Sequence, residues 1–405
     1  MGLDVGTTKI CALVARVVNS ELQTIALGLH PSQGMRKGLV VDIQRTSADI
    51  KSALLKAQTT AGREITQAVV GVSGGHIISY NVKGAATITN YRGEIAEEDV
   101  ERALQNAKEN LSLPKDREII HIATRQFIID GEEGIKHPEG MFAQHLEVEA
   151  HIVTGATTFL NNLMKSVELA GVEVEDLVFQ SIAASESVLE EAEKDIGIML
   201  LDIGGGTTDL AIFKNGNICF SSSLPIGGNH LTSDIMIGLR TTLEEAERLK
   251  REKGYAIASQ VDPDEAIEVR MVARDEPKDL PRRILAEIIE ARLTELFQIV
   301  GGEMAKSKVG DILSGGVVIT GGTALLPGID LLAERVLNMP ARIGIPKGVK
   351  SLPEYPFSPL HSTAVGLVLY AHRYRPFSTP KTTKRKNLIA KIFRSIYNYL
   401  SHFWK

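Results

Sequence analysis

The chain has 405 residues, of which 43% are hydrophobic, and a formal net charge of −5 at neutral pH. This length exceeds that of an ordinary single domain, so two or three domains are expected, each with its own core. The weak net charge argues against a nucleic-acid-binding protein. The two cysteines, Cys11 and Cys219, exclude a disulfide framework and a cysteine-rich zinc site, and both are predicted to be buried thiols in strands.

No segment of the sequence predicts a secretory signal or a membrane span. Asp4 and Lys9 lie where the apolar part of a signal would be, and no apolar run reaches the ~18–20 residues that a bilayer requires. We therefore expect a cytoplasmic protein. The charge is unevenly distributed, because Glu354 is the last acidic residue and every later charged side chain is Lys or Arg. This asymmetry indicates that the C-terminal end has a role of its own.

The hydrophobic pattern predicts an α/β protein. In chain order, strands are expected at residues 10–15, 68–72, 79–89, 118–129, 145–154, 176–182, 198–202, 210–213, 218–220 and 317–320. Helices are expected at 47–61, 97–110, 157–170, 184–193, 242–253 and 280–308, the last broken near Gly301-Gly302. Alternating strands between residues 80 and 153 predict a small α+β insertion.

Two similar turns carry the strongest motif. Gly2-Leu3-Asp4-Val5-Gly6-Thr7-Thr8 opens the chain, and Leu201-Asp202-Ile203-Gly204-Gly205-Gly206-Thr207-Thr208 follows an apolar strand. Glycine lets backbone N–H groups approach a phosphate closely and adopt positive φ angles, and threonine adds hydroxyl groups. We therefore predict that a nucleotide phosphate tail lies between the turns, bound by Gly6, Thr7, Thr8, Lys9, Gly204, Gly205, Gly206, Thr207 and Thr208.

Carboxylates at these turns repel phosphate, so they favour a metal ion instead. Asp4 and Asp202 are expected to anchor a hydrated Mg²⁺ that bridges the phosphates, and Asp209 is a candidate for a second metal or water contact.

A third element follows near residue 320. Val318-Ile319-Thr320-Gly321-Gly322-Thr323-Ala324 reads as a buried strand that ends in Gly-Gly, where an adenosine can lie against bare backbone. Gly321, Gly322 and Thr323 are the candidate contacts. The repeated strand–turn–strand unit suggests two related lobes with a cleft between them.

Other nucleotide and catalytic motifs are weaker. The P-loop requires a Gly-Lys dipeptide, which the chain lacks, and no Rossmann fingerprint follows an early strand. Gly71-Val72-Ser73-Gly74-Gly75 fits a nucleophile elbow, and His361 is available for a triad, but no oxyanion-hole segment precedes it. A serine hydrolase is therefore a minor alternative.

The C-terminal region predicts a polar linker at residues 376–386 and an amphipathic helix at 387–405. The basic residues Lys391 and Arg394 face away from an apolar stripe formed by Leu388, Ile389, Ile392, Phe393, Ile396, Leu400, Phe403 and Trp404. This pattern suits a helix that lies in the headgroup plane of an anionic membrane. A helix docked on the protein's own core and a helix bound in a partner's groove are the alternatives.

The three glycine-containing elements resemble the phosphate-1, phosphate-2 and adenosine motifs of the actin/Hsp70/sugar-kinase superfamily. Nearly the whole chain resembles a narrower group, FtsA, the bacterial cell-division actin homologue. Val70-Gly71-Val72-Ser73-Gly74-Gly75-His76 is typical of that family and disfavours the hydrolase. Ala183-Ala184-Ser185 and Thr363-Ala364-Val365-Gly366 resemble the two connecting helices between lobes. Glu247 and Lys250 resemble the pair that reaches the ribose and base.

The resemblance implies an actin-like two-lobed fold, with two RNase H-like halves around a nucleotide cleft, an inserted 1C subdomain and a C-terminal amphipathic helix. The expected subdomains are 1A (1–79, 154–178 and 360–375), 1C (80–153), 2A (179–228 and 309–359) and 2B (229–308). It also implies ATP and Mg²⁺ as cofactors, polymerisation, other divisome partners, and the cytoplasmic face of the cell membrane at the division site.

The resemblance further implies that the C-terminal peptide of the tubulin-like protein FtsZ docks on 2B around residues 282–297, with Arg283 and Arg292 as contacts. ATP is expected to act as a conformational switch with slow hydrolysis at most, since no residue is an obvious general base. The alternatives are a pilus-assembly homologue of the PilM type and, less favoured, a sugar kinase. In one departure from the family, the chain starts almost at the first turn, so strand one is expected to be a stub and its sheet edge weak, unless the start lies upstream.

Overall fold

The computed structural model describes residues 1–272, 276–307 and 313–374. In chain order its strands are β1 (Gly2–Val5), β2 (Lys9–Val18), β3 (Glu21–Pro31), β4 (Met35–Arg36), β5 (Leu39–Val40), β6 (Gln67–Val72), β7 (Ile78–Thr87), β8 (Arg117–Ile129), β9 (Glu132–Ile135), β10 (His145–Ala156), β11 (Glu173–Phe179), β12 (Ile198–Ile203), β13 (Thr208–Lys214), β14 (Asn217–Leu224), β15 (Ala266–Val269), β16 (Lys278–Pro281), β17 (Val317–Thr320) and β18 (Ala341–Ile343).

The helices separate these strands in the α/β manner that the sequence predicts. They are α1 (Ile43–Ala61), α2 (Glu97–Asn110), α3 (Thr157–Leu169), α4 (Gln180–Val188), α5 (Glu191–Ile196), α6 (Gly228–Leu239), α7 (Leu243–Lys253), α8 (Arg282–Lys306), α9 (Ile329–Leu337) and α10 (Ser362–Tyr374), with short 3₁₀ turns at Ala258–Gln260, Gly322–Leu325 and Pro359–His361.

The first lobe is built on a five-stranded sheet in the order β11-β6-β1-β2-β3. All four residues of β1 are buried, and the strand pairs with β6 in parallel and with β2 in antiparallel register. Strand one is therefore short, as expected, but it lies at the centre of the sheet, so the expected weak edge is wrong. Ile50 and Leu54 of α1 cover one face of the sheet, and Val365 and Val368 of α10 cover the other.

The second lobe is built on β18-β17-β12-β13-β14, which form one half of a nine-stranded sheet. Its largest apolar cluster joins this sheet to α6, α8 and α9, through residues such as Leu201, Ile235, Leu293 and Leu332. The opposite face packs against α4, where Ala184 and Val188 meet Leu200.

The insertion supplies the other half of that sheet, in the order β7-β10-β8-β9, with α2 packed on it. The two halves meet at one main-chain pair, Ser222 with Ile78. Side-chain hydrogen bonds make further contacts along this seam, the junction between β7 and β14. The Nδ1–H of His151 donates to Asn81 Oδ1 (2.7 Å) and its Nε2 accepts from Ser221 Oγ–H (2.9 Å). His151 is 1% exposed, and burial lowers its pKa to about 3, so it holds this position as a neutral ring.

Three predicted elements need correction. The helix expected to break near Gly301-Gly302 is continuous through α8, and Met304, beyond the glycines, still packs against the apolar cluster of the second lobe. The helix expected at 184–193 is two helices, α4 and α5, separated at Leu189-Glu190. The strand expected at 176–182 is β11, which ends at Phe179 so that α4 begins at Gln180.

Candidate functional site

The first glycine turn joins β1 to β2. The N–H of Gly6 donates to the carbonyl of Lys9 (3.0 Å) and closes a tight hairpin. A Cβ added to Gly6 would lie 2.9 Å from that carbonyl oxygen, so the turn requires glycine. Thr7 and Thr8 are thereby presented at the tip.

The second turn repeats this geometry between β12 and β13, where the N–H of Gly204 donates to the carbonyl of Thr207 (2.9 Å). The two tips face each other in contact. A Cβ on Gly205 would lie 2.3 Å from Thr8 Cγ2, and one on Gly206 would lie 2.4 Å from Thr7 Oγ1. The predicted phosphate turns therefore come together from the two lobes, with bare glycine backbone against threonine side chains.

The third predicted element lies beside the second turn. Gly321 follows β17 at φ +85°, and a Cβ there would lie 2.4 Å from Asp202 Oδ1. Thr323 Oγ1–H donates to the carbonyl of Gly204 (3.1 Å). Gly322 begins the 3₁₀ turn that holds Thr323 in this position.

Glu247 and Lys250 lie on α7 and reach the start of α6. Lys250 Nζ is 2.6 Å from Glu247 Oε2 and donates to the carbonyl of Gly228 (3.1 Å). Gly228 itself is next to the adenosine element, since a Cβ there would lie 2.6 Å from Thr323 Oγ1. The pair inferred from the resemblance therefore lies at the same end of the cleft as Gly321-Gly322-Thr323.

The three aspartates are buried in different surroundings. Asp4 receives a hydrogen bond from Gln180 Nε2 (3.1 Å) and forms an ion pair with Lys9 at 2.6 Å. Burial opposes the charge of Lys9, but Asp4 outweighs it, so the pKa of Lys9 is raised. Asp202 accepts from Thr363 Oγ1–H (2.7 Å), and burial raises its pKa to about 6.

Asp209 lies where the lobes meet. It is 1% exposed and its Oδ1 lies 2.8 Å from Ser73 Oγ and 2.5 Å from Ser223 Oγ. Burial raises its pKa to about 7 despite these hydroxyl contacts. Ser73 belongs to the first lobe and Asp209 to the second, so this buried pair bridges the cleft.

No direct metal cage is formed: in the described ranges, no three His, Cys, Asp or Glu side chains are grouped closely enough to hold a metal ion together. The metal roles of Asp4, Asp202 and Asp209 stay a prediction, in which water molecules lie between the carboxylates and the ion.

Sequence reasoning missed the residues that hold these aspartates. Gln180 is the first residue of α4, and Thr363 is the second residue of α10; these are the two helices that cross between the lobes. Ser73, the serine of the disfavoured hydrolase alternative, contacts Asp209 and Thr207 (3.0 Å). His361 Nδ1 accepts instead from the N–H of Ser358 (3.2 Å), so no triad is formed.

Comparisons with known proteins agree with this geometry. The family model described as "Cell division protein FtsA" matches residues 199–366, and the model "SHS2 domain inserted in FTSA" matches residues 74–154, which overlap the predicted insertion. The curated "Cell division protein FtsA" of Pseudomonas aeruginosa is 40% identical over 91% of this chain and 88% of its own length. The curated "Cell division protein FtsA" of Bacillus subtilis is 37% identical over 92% of this chain and 83% of its own length. That of Escherichia coli K12 is 35% identical over 91% of this chain and 89% of its own length.

Solved structures match the fold. The "PilM-PilN type IV pilus biogenesis complex" aligns with a TM-score of 0.64 at 18% identity, over 91% of this chain and 97% of that one. MreB5 of Spiroplasma citri bound to ADP aligns with a TM-score of 0.51 at 18% identity, over 92% and 95%.

These likenesses confirm the predicted actin-like α/β fold with its insertion. The resemblance to PilM is structural alone, whereas the cell-division relatives are similar in sequence along most of their length. The predicted family is thus confirmed over the pilus-assembly alternative, and the chain belongs to the FtsA family of actin-like cell-division proteins.

Proposed function

We propose that this cell-division protein binds Mg-ATP between its two lobes, polymerises, and anchors the FtsZ ring to the cytoplasmic membrane. The observation that carries the nucleotide part is the contact between the two glycine turns, Thr8 against Gly205 and Thr7 against Gly206. Two hairpin tips with bare backbone and hydroxyl groups suit a phosphate tail, which requires close N–H donors.

Within this proposal, Gly321, Gly322 and Thr323 contact the nucleoside, and Glu247 and Lys250 reach its ribose and base. The location of Lys250 beside Gly228 supports this assignment. A bound nucleotide would contact the Lys250 ammonium group, either in place of Glu247 or together with it.

A magnesium ion fits the acidic side of the same site. Asp202 and Asp209 are nearly fully buried and pay a desolvation cost that raises the pKa of each. A nearby cation lowers such pKa values and favours both carboxylates in their charged form. Water-mediated anchoring also suits the reluctance of Mg²⁺ to lose its hydration shell.

Hydrolysis is expected to be slow. Asp209 is occupied by two serine hydroxyls, and Asp4 by Lys9 and Gln180, so neither carboxylate is free to act as a dedicated base. ATP turnover at the rate of a metabolic kinase, stimulated by a sugar, would contradict the proposed role as a filament-forming adaptor.

The FtsZ C-terminal peptide is proposed to dock on 2B around residues 282–297 of α8. Support comes from Arg283, which is half exposed and forms a 3.3 Å ion pair with Glu287. Arg292 is engaged by Asp234 at 2.5 Å, so it contributes less readily to a partner. Exposed apolar side chains on the same subdomain, Ile237 (69%) and Val272 (70%), supply further contact area.

Membrane attachment is proposed for the basic amphipathic segment 387–405, beyond the linker at 376–386. These predicted segments, including all the predicted membrane-contacting residues from Leu388 to Trp404, lie outside the described residues. Of the helices that the structure describes, none has the length and apolarity to cross a bilayer. Peripheral binding to anionic lipid at the division site is therefore the proposed localisation.

Liposome flotation tests the anchor. The full chain and a chain that ends at Lys386 are mixed with vesicles containing phosphatidylglycerol, or with neutral phosphatidylcholine vesicles as the control. Flotation of the full chain alone, and on the anionic vesicles more than on the neutral ones, is expected. Equal flotation of both chains, or of neither, would refute the anchor.

Capture of the full chain on an immobilised FtsZ C-terminal peptide tests the division partner. Arg283→Glu should weaken capture, and Arg63→Glu, an exposed cation of the first lobe, is the matched control. Equal capture of both variants would remove α8 from the proposed docking site.

A further inference from the structure

A small hairpin outside the predicted motifs reaches the candidate phosphate site. Strands β4 and β5 pair through Met35 with Val40 and Arg36 with Leu39, which leaves Lys37 and Gly38 as the two turn residues. Both have positive φ angles, 51° and 77°, as a two-residue type I′ turn requires. The tip is therefore a tight two-residue turn.

The tip touches both lobes. The N–H of Gly38 donates to Thr7 Oγ1 on the first phosphate turn (3.0 Å). A Cβ on Gly38 would lie 2.8 Å from Gly74 Cα and 3.0 Å from Thr207 Cγ2 on the second turn. Only glycine fits between these two neighbours, so the hairpin is seated against both phosphate turns at once.

The order of contacts along the second turn gives the cleft a direction. Its first residue, Gly204, accepts from Thr323 of the nucleoside element (3.1 Å). Its last residue, Thr207, contacts Ser73 (3.0 Å) and lies against Gly38. A nucleotide whose base lies at the Thr323 end extends its phosphate tail toward the hairpin, so the terminal phosphate comes closest to Lys37-Gly38.

The cations near the cleft differ in their availability. Lys9 is paired with Asp4 and Lys250 with Glu247, each at 2.6 Å. Lys37 is exposed, and it has no acidic partner within ion-pair distance among residues 1–272, 276–307 and 313–374. An ammonium group without a carboxylate partner in these ranges, on a tight turn beside the two candidate phosphate turns, is suited to an added phosphate.

We propose that the Lys37-Gly38 hairpin reads the terminal phosphate of a nucleoside triphosphate, with Lys37 as the cation that contacts it. The inference rests on the proposed nucleotide site and adds to it a residue that discriminates triphosphate from diphosphate. Because the tip also touches Thr207, the same contact ties the first lobe to the second when the triphosphate is bound.

The test compares affinities of the full chain for ADP and for a non-hydrolysable ATP analogue, both with Mg²⁺, by equilibrium titration. Lys37→Gln is expected to weaken binding of the triphosphate about tenfold, at the low end for a charge-assisted contact, and to leave ADP affinity unchanged. Lys37→Arg should retain most of the preference. Arg36→Gln, an exposed cation one residue away, is the matched control and should bind both nucleotides as the unaltered chain does.

The outcomes separate the two proposals. If the unaltered chain binds neither nucleotide, the proposed nucleotide function fails and this inference falls with it. If the unaltered chain binds both and Lys37→Gln does not change the ratio of affinities, the inference alone is overturned. An equal loss in Arg36→Gln would assign the effect to overall charge and also overturn it.

A second variant tests the turn through the backbone. Gly38→Ala introduces a Cβ against Gly74 and Thr207 at a positive φ angle, so it should displace the tip and lower affinity for the triphosphate more than for ADP. An equal loss for both nucleotides would mean that the hairpin only supports Thr7, which contradicts phosphate reading. Lys37 is exposed, so its substitution should leave the unfolding midpoint unchanged.

Discussion

Substitution of Gly366 by alanine is expected to force apart the two helices that connect the lobes. Helices α4 and α10 cross so closely that a Cβ on Gly366 would lie 1.8 Å from the carbonyl oxygen of Ala183 and 2.4 Å from its carbonyl carbon. Ordinary van der Waals contact begins at 3.4 Å, so the helices must separate by about 1.6 Å at this point. The added Cβ clashes with main-chain atoms of Ala183, so no side-chain rotation relieves the clash.

The magnitude follows from two opposing terms. Overpacking of a close-packed interior costs about 3 kcal/mol at the upper end of its usual range, which fits a backbone clash. Replacement of glycine by alanine within a helix returns about 1 kcal/mol through backbone entropy. The free energy of unfolding of Gly366→Ala should therefore fall by about 2 kcal/mol, measured by urea unfolding followed by circular dichroism.

Gly302 provides the matched control. It also lies inside a helix, α8, but no atom of the residues that the structure describes approaches its Cβ position within 4 Å, and the residue is exposed. Gly302→Ala should raise the free energy of unfolding by about 0.5–1 kcal/mol. If Gly366→Ala proves as stable as the unaltered chain, or stabilises it as the control does, the argument for backbone contact between α4 and α10 is refuted.

Three further predictions concern buried groups. Because burial raises the pKa of Asp209 from 3.8 to about 7, the folded state binds the carboxyl proton more tightly than the unfolded state does. The stability that this proton contributes is complete below pH ~4 and is lost as the pH rises to ~7. Asp209→Asn should therefore flatten the plot of unfolding free energy against pH in this range, and an unchanged slope would exclude Asp209 as its source. His151→Leu leaves the buried hydroxyl of Ser221 without its partner and removes the contact with the more exposed Asn81, so it should cost about 2 kcal/mol in urea unfolding; a loss no larger than that of the exposed control His137→Leu would contradict the seam. Cys11 and Cys219 are buried with raised pKa values, about 12 for Cys11, so neither should react with a thiol reagent at pH 7 until the chain unfolds; rapid labelling of the native protein would disprove their burial.

The phosphate turns could be predicted because their chemistry is local. Glycine spacing and flanking apolar strands already determine a tight hairpin, and the two copies implied two lobes. The supporting residues could not be found in this way. Gln180 reaches Asp4 across 176 positions, and Thr363 reaches Asp202 across 161, through a helix crossing that no short pattern encodes.

Local rules also failed where tertiary packing overrides them. Gly301 and Gly302 suggest a break, yet Ile299 and Met304 on either side of them pack against the apolar cluster of the second lobe, and the helix is continuous. Ser73 carried a recognisable motif whose chemistry depends on its neighbours. Those neighbours are Asp209 and Thr207 of the other lobe, which turn a suspected nucleophile into a bridging residue.

The seam between the insertion and the second lobe has a mechanical consequence. Strand β7 follows directly from β6 in the first lobe, yet its neighbour in the nine-stranded sheet is β14 of the second lobe. Only the pair Ser222–Ile78 joins them through the main chain, so a change in the angle between the lobes breaks almost no ladder hydrogen bonds there. We therefore expect the nine strands to behave as two separately paired sheets. A rotation of one lobe against the other is expected to act on the side-chain contacts of this junction, such as those of His151, rather than on a main-chain ladder.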